Sequence, residues 1–321
     1  MLYKLLKIPA ALGFWLYCRY LKVNNKTAFK INGPLIIACN HPNSFLDAIV
    51  ISALFKKPVY SLARGDAFKK PFIAKLLYSL KMLPVYRTSE GVENMEHNYS
   101  TFNACKELFK KNGIVLIFSE GRCINEWHLR PLKKGTARLA LSSWEDGIDV
   151  KILPAGLNYQ SFHSYDKDIH LLFGNIITKE DVDHNNGFGK TIASFNGLLQ
   201  KELEPLVYEI DKADIEKRKA IFEVKVPLLK KILLWIPAIA GVLLHYPLYL
   251  LAKSIADKFG SSNDHYDSII VTILFLVYPL YLIIIIGLAL AFICSWWVLL
   301  ALAALPFCAW SYLQVKSQFP K

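Results

Sequence analysis

The feature that most constrains the fold is an uncharged stretch at residues 269–313. Its length of about 45 residues is enough for two membrane-spanning helices joined by a tight turn near residues 294–297. An earlier apolar segment at 232–251 is interrupted by two prolines, a glycine and a histidine, so it either spans the bilayer or forms a re-entrant or interfacial hairpin. We therefore predict a membrane domain of two or three hydrophobic segments at residues 225–321, with no buried charge.

The composition fits a chain that is partly embedded in a bilayer. Of its 321 residues 54% are hydrophobic, the mean hydropathy is +0.29 and the net charge is +12. No nucleic-acid-binding motif accompanies this charge, so anionic lipid and a phosphorylated ligand explain it more simply than nucleic acid does. The six cysteines have no paired spacing, which indicates a reducing compartment and no metal site.

The N-terminal residues 1–24 mix apolar residues with lysine and arginine, and lack a cleavage site for a signal peptide. This pattern predicts an interfacial helix that docks on the membrane, with a simple core helix as the alternative. Ahead of the first C-terminal apolar segment lie three cations, which favour a cytosolic location for the preceding domain: Lys225, Lys230 and Lys231.

Between these parts, residues 25–224 alternate short apolar strands with helical patterns. The alternation predicts an α/β domain with a mixed, largely parallel sheet flanked by helices. One strand, at 34–39, is followed by Asn40-His41-Pro42-Asn43 and then by Asp47 in a helical pattern. An imidazole oriented by a carboxylate can take the proton of a hydroxyl, whereas the plainer reading is a turn histidine and a solvated aspartate.

Three further strands end in polar residues or cations. The strand at 81–86 leads to Arg87, and the strand at 113–118 leads to Ser119-Glu120-Gly121-Arg122. A cation cluster that contains Arg130 and Lys133 precedes a helix, and it suits either a phosphate or anionic headgroups. The strand at 151–158 has no charged residue after Lys151.

In this order the four blocks resemble the glycerolipid acyltransferase superfamily, which includes glycerol-3-phosphate and 1-acylglycerol-3-phosphate acyltransferases. The family places four residues between histidine and aspartate; here there are five, similar to a variant that begins Asn-His-Pro-Asn, and we expect Asn43 or Ser44 to bulge. Against the family's Phe-Pro-Glu-Gly-Thr-Arg, Ser119 replaces the proline and the threonine is missing, so Arg122 lies one position early.

The resemblance implies transfer of a fatty acyl group from acyl-CoA or acyl carrier protein, without a cofactor, to a hydroxyl of glycerol 3-phosphate or 1-acylglycerol 3-phosphate. His41 would be the base, Asp47 would orient it, and Glu120 would bind a glycerol hydroxyl or fix an arginine. The residues implied in substrate binding are Arg87, Glu120, Gly121, Arg122, Arg130 and Lys133.

Two alternatives remain at this stage. The acceptor could be another lysophospholipid, an aminoacyl lipid or a lipid A precursor. A non-catalytic membrane protein that binds or transports lipid is the other.

Overall fold

A computed structural model of the chain describes residues 2–86, 97–183, 187–317 and 319. The strands are β1 Cys18–Val23, β2 Leu35–Cys39, β3 Val59–Arg64, β4 Met82–Val85, β5 Ile114–Phe118, β6 Lys151–Tyr159 and β7 Lys167–Phe173. The helices are α1 Leu2–Tyr17, α2 Phe45–Leu54, α3 Pro71–Ser79, α4 His97–Lys110, α5 Gly135–Glu145, α6 Phe188–Leu203, α7 Ile215–Phe222, α8 Leu228–Gly260, α9 Tyr266–Ile293 and α10 Ala301–Val315.

The seven strands form one sheet in the order β1-β7-β6-β2-β5-β3-β4. Strand β2 pairs in parallel with β5 and β6, and β3 pairs in parallel with β5 and β4. Strand β7 follows β6 after a short connection, and the hydrogen bond from Gln160 N–H to Asp168 O, 3.0 Å, belongs to an antiparallel return. The predicted α/β class with a mixed, largely parallel sheet is confirmed.

The chain divides into two compact units. The first contains Met1–Pro9, Lys22–Asn158 and His170–Asp211, and the second contains Ala10–Leu21, Tyr159–Ile169 and Lys212–Lys321.

In the first unit the central strands are buried on both faces, as parallel strands covered by helices should be. Every residue of β2 is fully buried, and alternate residues such as Ile36 and Ala38 join a core with α4, α5 and α6. Cys39, the last residue of β2, pairs with Phe118 of β5 on one side and with Ala155 of β6 on the other. The residues that follow β2 and β5 therefore leave the sheet next to each other at its carboxyl edge.

In the second unit three helical segments are long and apolar enough to cross a membrane, judged by length and composition within the described residues. The helix α8 has 33 residues, α9 has 28, and the segment Trp296–Val315 has 20. The interrupted first segment forms one continuous helix in spite of Pro237 and Pro247. The predicted turn is confirmed, because α9 ends at Ile293 and Cys294 has the left-handed φ of 50°.

Helices α8 and α10 of this unit approach closely at a glycine. A Cβ atom on Gly241 would lie 2.2 Å from the carbonyl oxygen of Cys308, which is closer than atoms can pack. Only a residue without a side chain fits there.

Three consecutive charged residues at the start of β7 are also buried in the second unit. The residues Asp166, Lys167 and Asp168 pair with Lys316 at 2.8 Å, Asp267 at 2.5 Å and Arg19 at 2.7 Å, respectively. Burial lowers the pKa of Lys167 in spite of its acidic partner. Asp267 is in the first turn of α9, so the expectation that the membrane part lacks buried charge was wrong; the sequence did not reveal the partner that allows it.

Candidate active site

His41 and Asp47 form a direct hydrogen bond at the carboxyl edge of β2. Asp47 is in the first turn of α2 and fully buried, and its Oδ2 atom is 2.8 Å from Nδ1 of His41. The backbone N–H of Asn43 donates to the same oxygen at 2.9 Å. Since the carboxylate accepts, Nδ1 is the protonated nitrogen, and Nε2 is the nitrogen left to take a proton.

The fifth residue between histidine and aspartate is accommodated at Ser44. Ser44 directly precedes α2 and has φ 53° and ψ −143°. Residues other than glycine rarely adopt this backbone conformation. The backbone N–H of Ser44 is 2.9 Å from Sγ of Cys123. The expected bulge is thus at Ser44, and Cys123 is a supporting residue that sequence reasoning missed.

The imidazole of His41 stacks on the ring of Phe118, with centroids 3.8 Å apart and planes 5° from parallel. Phe118 is the last residue of β5, and its pairing with Cys39 in the sheet brings it to this position. Sequence reasoning also missed Phe118, although its place directly before Ser119-Glu120 was the available signal.

Glu120 supports the site through both carboxylate oxygens and is buried. Its Oε2 accepts the backbone N–H of His41 at 2.8 Å and Nη2 of Arg130 at 2.6 Å, and its Oε1 accepts the backbone N–H of Arg130 at 2.9 Å. Of the two roles expected for Glu120, these contacts match the fixing of an arginine.

Arg130 is correspondingly occupied by protein groups. Besides Glu120, its guanidinium is 2.5 Å from the carbonyl oxygen of Arg122 and 3.3 Å from the carboxylate of Glu126. Its charge is therefore offset within the site, and the geometry favours a supporting role over contact with an anionic ligand.

The segment after β5 also holds the backbone of the His41 turn. Ile124 donates its N–H to the His41 carbonyl at 3.2 Å, and the Asn125 side chain donates to the Pro42 carbonyl at 2.7 Å. These bonds hold the backbone carbonyls of His41 and Pro42 in place. No motif in the sequence pointed to Asn125.

Gly121 and Lys133 contact each other at the rim of the site. Gly121 has φ 76°, and a Cβ atom there would lie 2.9 Å from Cγ of Lys133. The backbone N–H of Lys133 donates to the Ser119 carbonyl at 2.7 Å. Lys133 and Arg122 are exposed, so their charges are accessible to a ligand, whereas Arg87 is outside the described residues.

Cys39, the thiol nearest to the dyad in sequence, is not suited to act as a nucleophile. Burial raises the pKa of Cys39 well above its ordinary value, and the charges of Asp47 and Glu120 raise it further. The thiol therefore stays protonated.

A histidine held by an aspartate at the carboxyl edge of a parallel sheet can take the proton of a hydroxyl. Residues 20–158, which include all four blocks, match the family model described as Acyltransferase. This match identifies residues 20–158 as similar to an acyltransferase domain.

No curated protein matches the sequence. Among solved structures, the crystal structure of the 1-acyl-sn-glycerophosphate (LPA) acyltransferase PlsC from Thermotoga maritima is similar, with a TM-score of 0.45 and 14% identity. The match covers 63% of this chain and 78% of that chain.

Proposed function

We propose that the chain is a membrane-bound acyltransferase of phospholipid biosynthesis. It transfers a fatty acyl group from acyl-CoA or acyl carrier protein to a hydroxyl of glycerol 3-phosphate or 1-acylglycerol 3-phosphate. The observation that carries the proposal is the 2.8 Å bond from Asp47 to Nδ1 of His41, which leaves Nε2 as the base.

In this mechanism the acceptor alcohol is the nucleophile. Nε2 of His41 takes the hydroxyl proton while the oxygen forms a bond to the thioester carbonyl carbon. Asp47 stabilises the imidazolium that results. The tetrahedral intermediate then releases the thiolate, which receives the proton from His41, so the products are an ester and a thiol.

The exposed cations support a phosphorylated acceptor. Arg130 shares its charge with Glu120, so Arg122 and Lys133 are the cations that remain for a phosphate among the predicted ligands that the structure describes. Gly121 leaves room for the lysine stem beside the turn. Two cationic side chains suit a dianionic phosphate better than a neutral alcohol.

Three helices of sufficient length and hydropathy support an integral, multi-pass location. The lysines at 225, 230 and 231 lie directly before and in the first turn of α8, and they favour a cytosolic side for the catalytic residues. A bilayer then holds the acyl product next to the enzyme.

The first test is acyl transfer by the purified full chain in liposomes. Acyl-CoA and acyl carrier protein donors are offered with glycerol 3-phosphate, 1-acylglycerol 3-phosphate and non-phosphorylated acceptors, and His41→Ala is the control. We expect turnover with a phosphorylated acceptor and its loss in the variant. Absence of turnover by folded protein with every acceptor would contradict the proposal and favour one of the alternative acceptors or a lipid-binding role.

A second test separates phosphate binding from catalysis. Lys133→Gln should raise KM for the phosphorylated acceptor by about tenfold, since a charge-assisted contact contributes on the order of 1.5 kcal/mol, while KM for the donor stays the same. Lys134→Gln removes an equal, neighbouring charge and is the matched control. An equal effect of the two variants would exclude a specific role for Lys133.

A further inference from the structure

A small cavity in the second unit is lined by cationic side chains. Its volume is about 100 Å³, and it is enclosed by Arg19, Tyr20, residues 224–227, Lys230 and Gln314. None of these residues belongs to the His41 site. The cavity lies where the basic segment before α8 passes into that helix.

The cationic side chains around the cavity differ in how many of their N–H donors are free to bind a ligand. Arg19 donates to Asp168 through Nε and Nη2 and to the Lys316 carbonyl through Nη1, so it has little left for a ligand. Lys230 donates to a neutral partner, the Oε1 atom of Gln314 at 2.6 Å, so this partner does not offset the lysine's charge and leaves two further N–H donors. Lys225 is exposed and has no ion pair within the described residues.

Apolar and aromatic surface adjoins this charge. The first two turns of α8 expose Leu228, Leu229 and Ile232, with relative accessibilities of 73%, 68% and 62%. The ammonium group of Lys230 lies 5.7 Å from the ring of Trp310, which stacks on Trp15 with centroids 5.2 Å apart. Lysine and tryptophan together mark the level of lipid headgroups in membrane proteins, and exposed leucine and isoleucine suit acyl chains.

We propose that this cavity binds the phosphate of an anionic phospholipid headgroup through Lys225 and Lys230. A free phosphate ion and a phospholipid headgroup offer these lysines the same anionic group. The apolar surface next to the cavity favours the phospholipid, because it can contact the acyl chains. A volume of about 100 Å³ accommodates one phosphate group with its ester oxygens. Basic pockets beside membrane helices bind anionic headgroups on this principle.

The test measures lipid retention by the detergent-purified full chain, by native mass spectrometry with added phosphatidylglycerol or phosphatidylcholine. We expect preferential retention of phosphatidylglycerol. Lys225→Gln/Lys230→Gln should weaken it on the order of thirtyfold, because each of the two lysines near a headgroup contributes on the order of 1 kcal/mol and about 1.4 kcal/mol is a factor of ten. The matched control Lys231→Gln/Lys258→Gln removes the same charge from α8 outside the cavity and should bind as the wild type does. The charge-conserving Lys225→Arg/Lys230→Arg should retain binding.

Several results would overturn the proposal. Equal retention of the two lipids by the wild type would do so, as would equal binding by the glutamine variant and its control, or loss of lipid from the arginine variant. Displacement of phosphatidylglycerol by millimolar inorganic phosphate would assign the cavity to free phosphate instead. Because retention is measured without turnover, failure here is distinguishable from failure of the acyltransferase proposal.

Discussion

At the scale of single residues, the bond between Asp47 and His41 determines which imidazole nitrogen is basic. An asparagine in place of Asp47 would offer an amide N–H to Nδ1, and the proton would move to Nε2, where a base is required. We therefore expect Asp47→Asn to lower kcat by about 10²- to 10⁴-fold. The comparison of kcat with that of Asp66→Asn, a partly exposed aspartate outside the site, tests this; retention of full activity in Asp47→Asn would contradict the proposed base.

His170 is a second informative histidine, in the first unit but outside the dyad. Burial, together with the charge of Lys22, lowers its pKa to about 4, and Tyr208 Oη lies 2.8 Å from its Nδ1. Between pH 6.5 and about 4 the unfolded chain binds a proton at this residue and the folded chain does not. Its contribution to stability is therefore complete above pH 6.5 and is lost as the pH falls to about 4.

We accordingly expect the apparent Tm of the wild type to fall more steeply from about pH 7 to about pH 4.5 than that of His170→Gln. Scanning fluorimetry of both proteins in the same detergent measures the difference, and the shared titration of other groups cancels. Parallel Tm curves would show that folding does not lower the pKa of His170.

Sequence reasoning predicted the contact between His41 and Asp47, which belong to one motif, but it did not identify residues whose place in the site depends on distant partners. His41 and Asp47 follow from a motif after an apolar strand. That Glu120 fixes an arginine was one of its two expected roles, but the sequence did not reveal that the arginine is Arg130 or that the same carboxylate accepts the backbone N–H of His41. The position of Phe118 before Ser119-Glu120 marks it as the end of a strand, but its stacking on His41 depends on the pairing of β5 with β2, which the sequence does not reveal.

At the scale of elements, the turn between β2 and α2 connects His41 to Asp47 and contains Ser44, whose positive φ is unfavourable for a residue with a side chain. The conformation of Ser44 costs on the order of 1 kcal/mol or more for a residue with a Cβ atom. Ser44→Gly should therefore raise the apparent Tm by a few degrees and keep the activity, whereas Ser44→Ala should not. Equal Tm gains in thermal unfolding of the two variants would show that the hydroxyl, and not the φ angle, is responsible.

The strands illustrate what a sequence pattern can convey about elements. Strands β2 and β5 are uninterrupted apolar runs and were predicted. Strand β1 alternates apolar and charged residues in Cys18–Val23, a pattern of period two that was instead included in the N-terminal helix. Its edge position in the sheet depends on pairing with β7, a distant part of the chain that local pattern does not reveal.

At the scale of the whole molecule, the buried charges show how distant parts of the second unit are joined. Lys167 and Asp267 are both almost completely buried and 100 residues apart in sequence. Replacement of one partner leaves an uncompensated charge in the interior. Replacement of both partners by apolar side chains of similar volume leaves no buried charge from this pair.

The single variant Lys167→Met should therefore lower the free energy of unfolding by about 3–5 kcal/mol, and with it the apparent Tm. The double variant Lys167→Met/Asp267→Leu should recover most of that loss. Thermal unfolding of the two variants in detergent, with Lys167→Met matched by the exposed Lys151→Met, measures the coupling. A double variant no more stable than the single one would mean that the ion pair is not what makes burial of Lys167 tolerable.

The same buried ion pairs determine when, during synthesis, each charge can meet its partner. Arg19, the partner of Asp168, has left the ribosome long before its aspartate is made, but Lys316 follows Asp166 by 150 residues. At about 5–20 residues per second, Asp166 waits on the order of ten seconds or more for its cation. The ion pair that accompanies burial of this carboxylate can therefore form only after α10 has been translated.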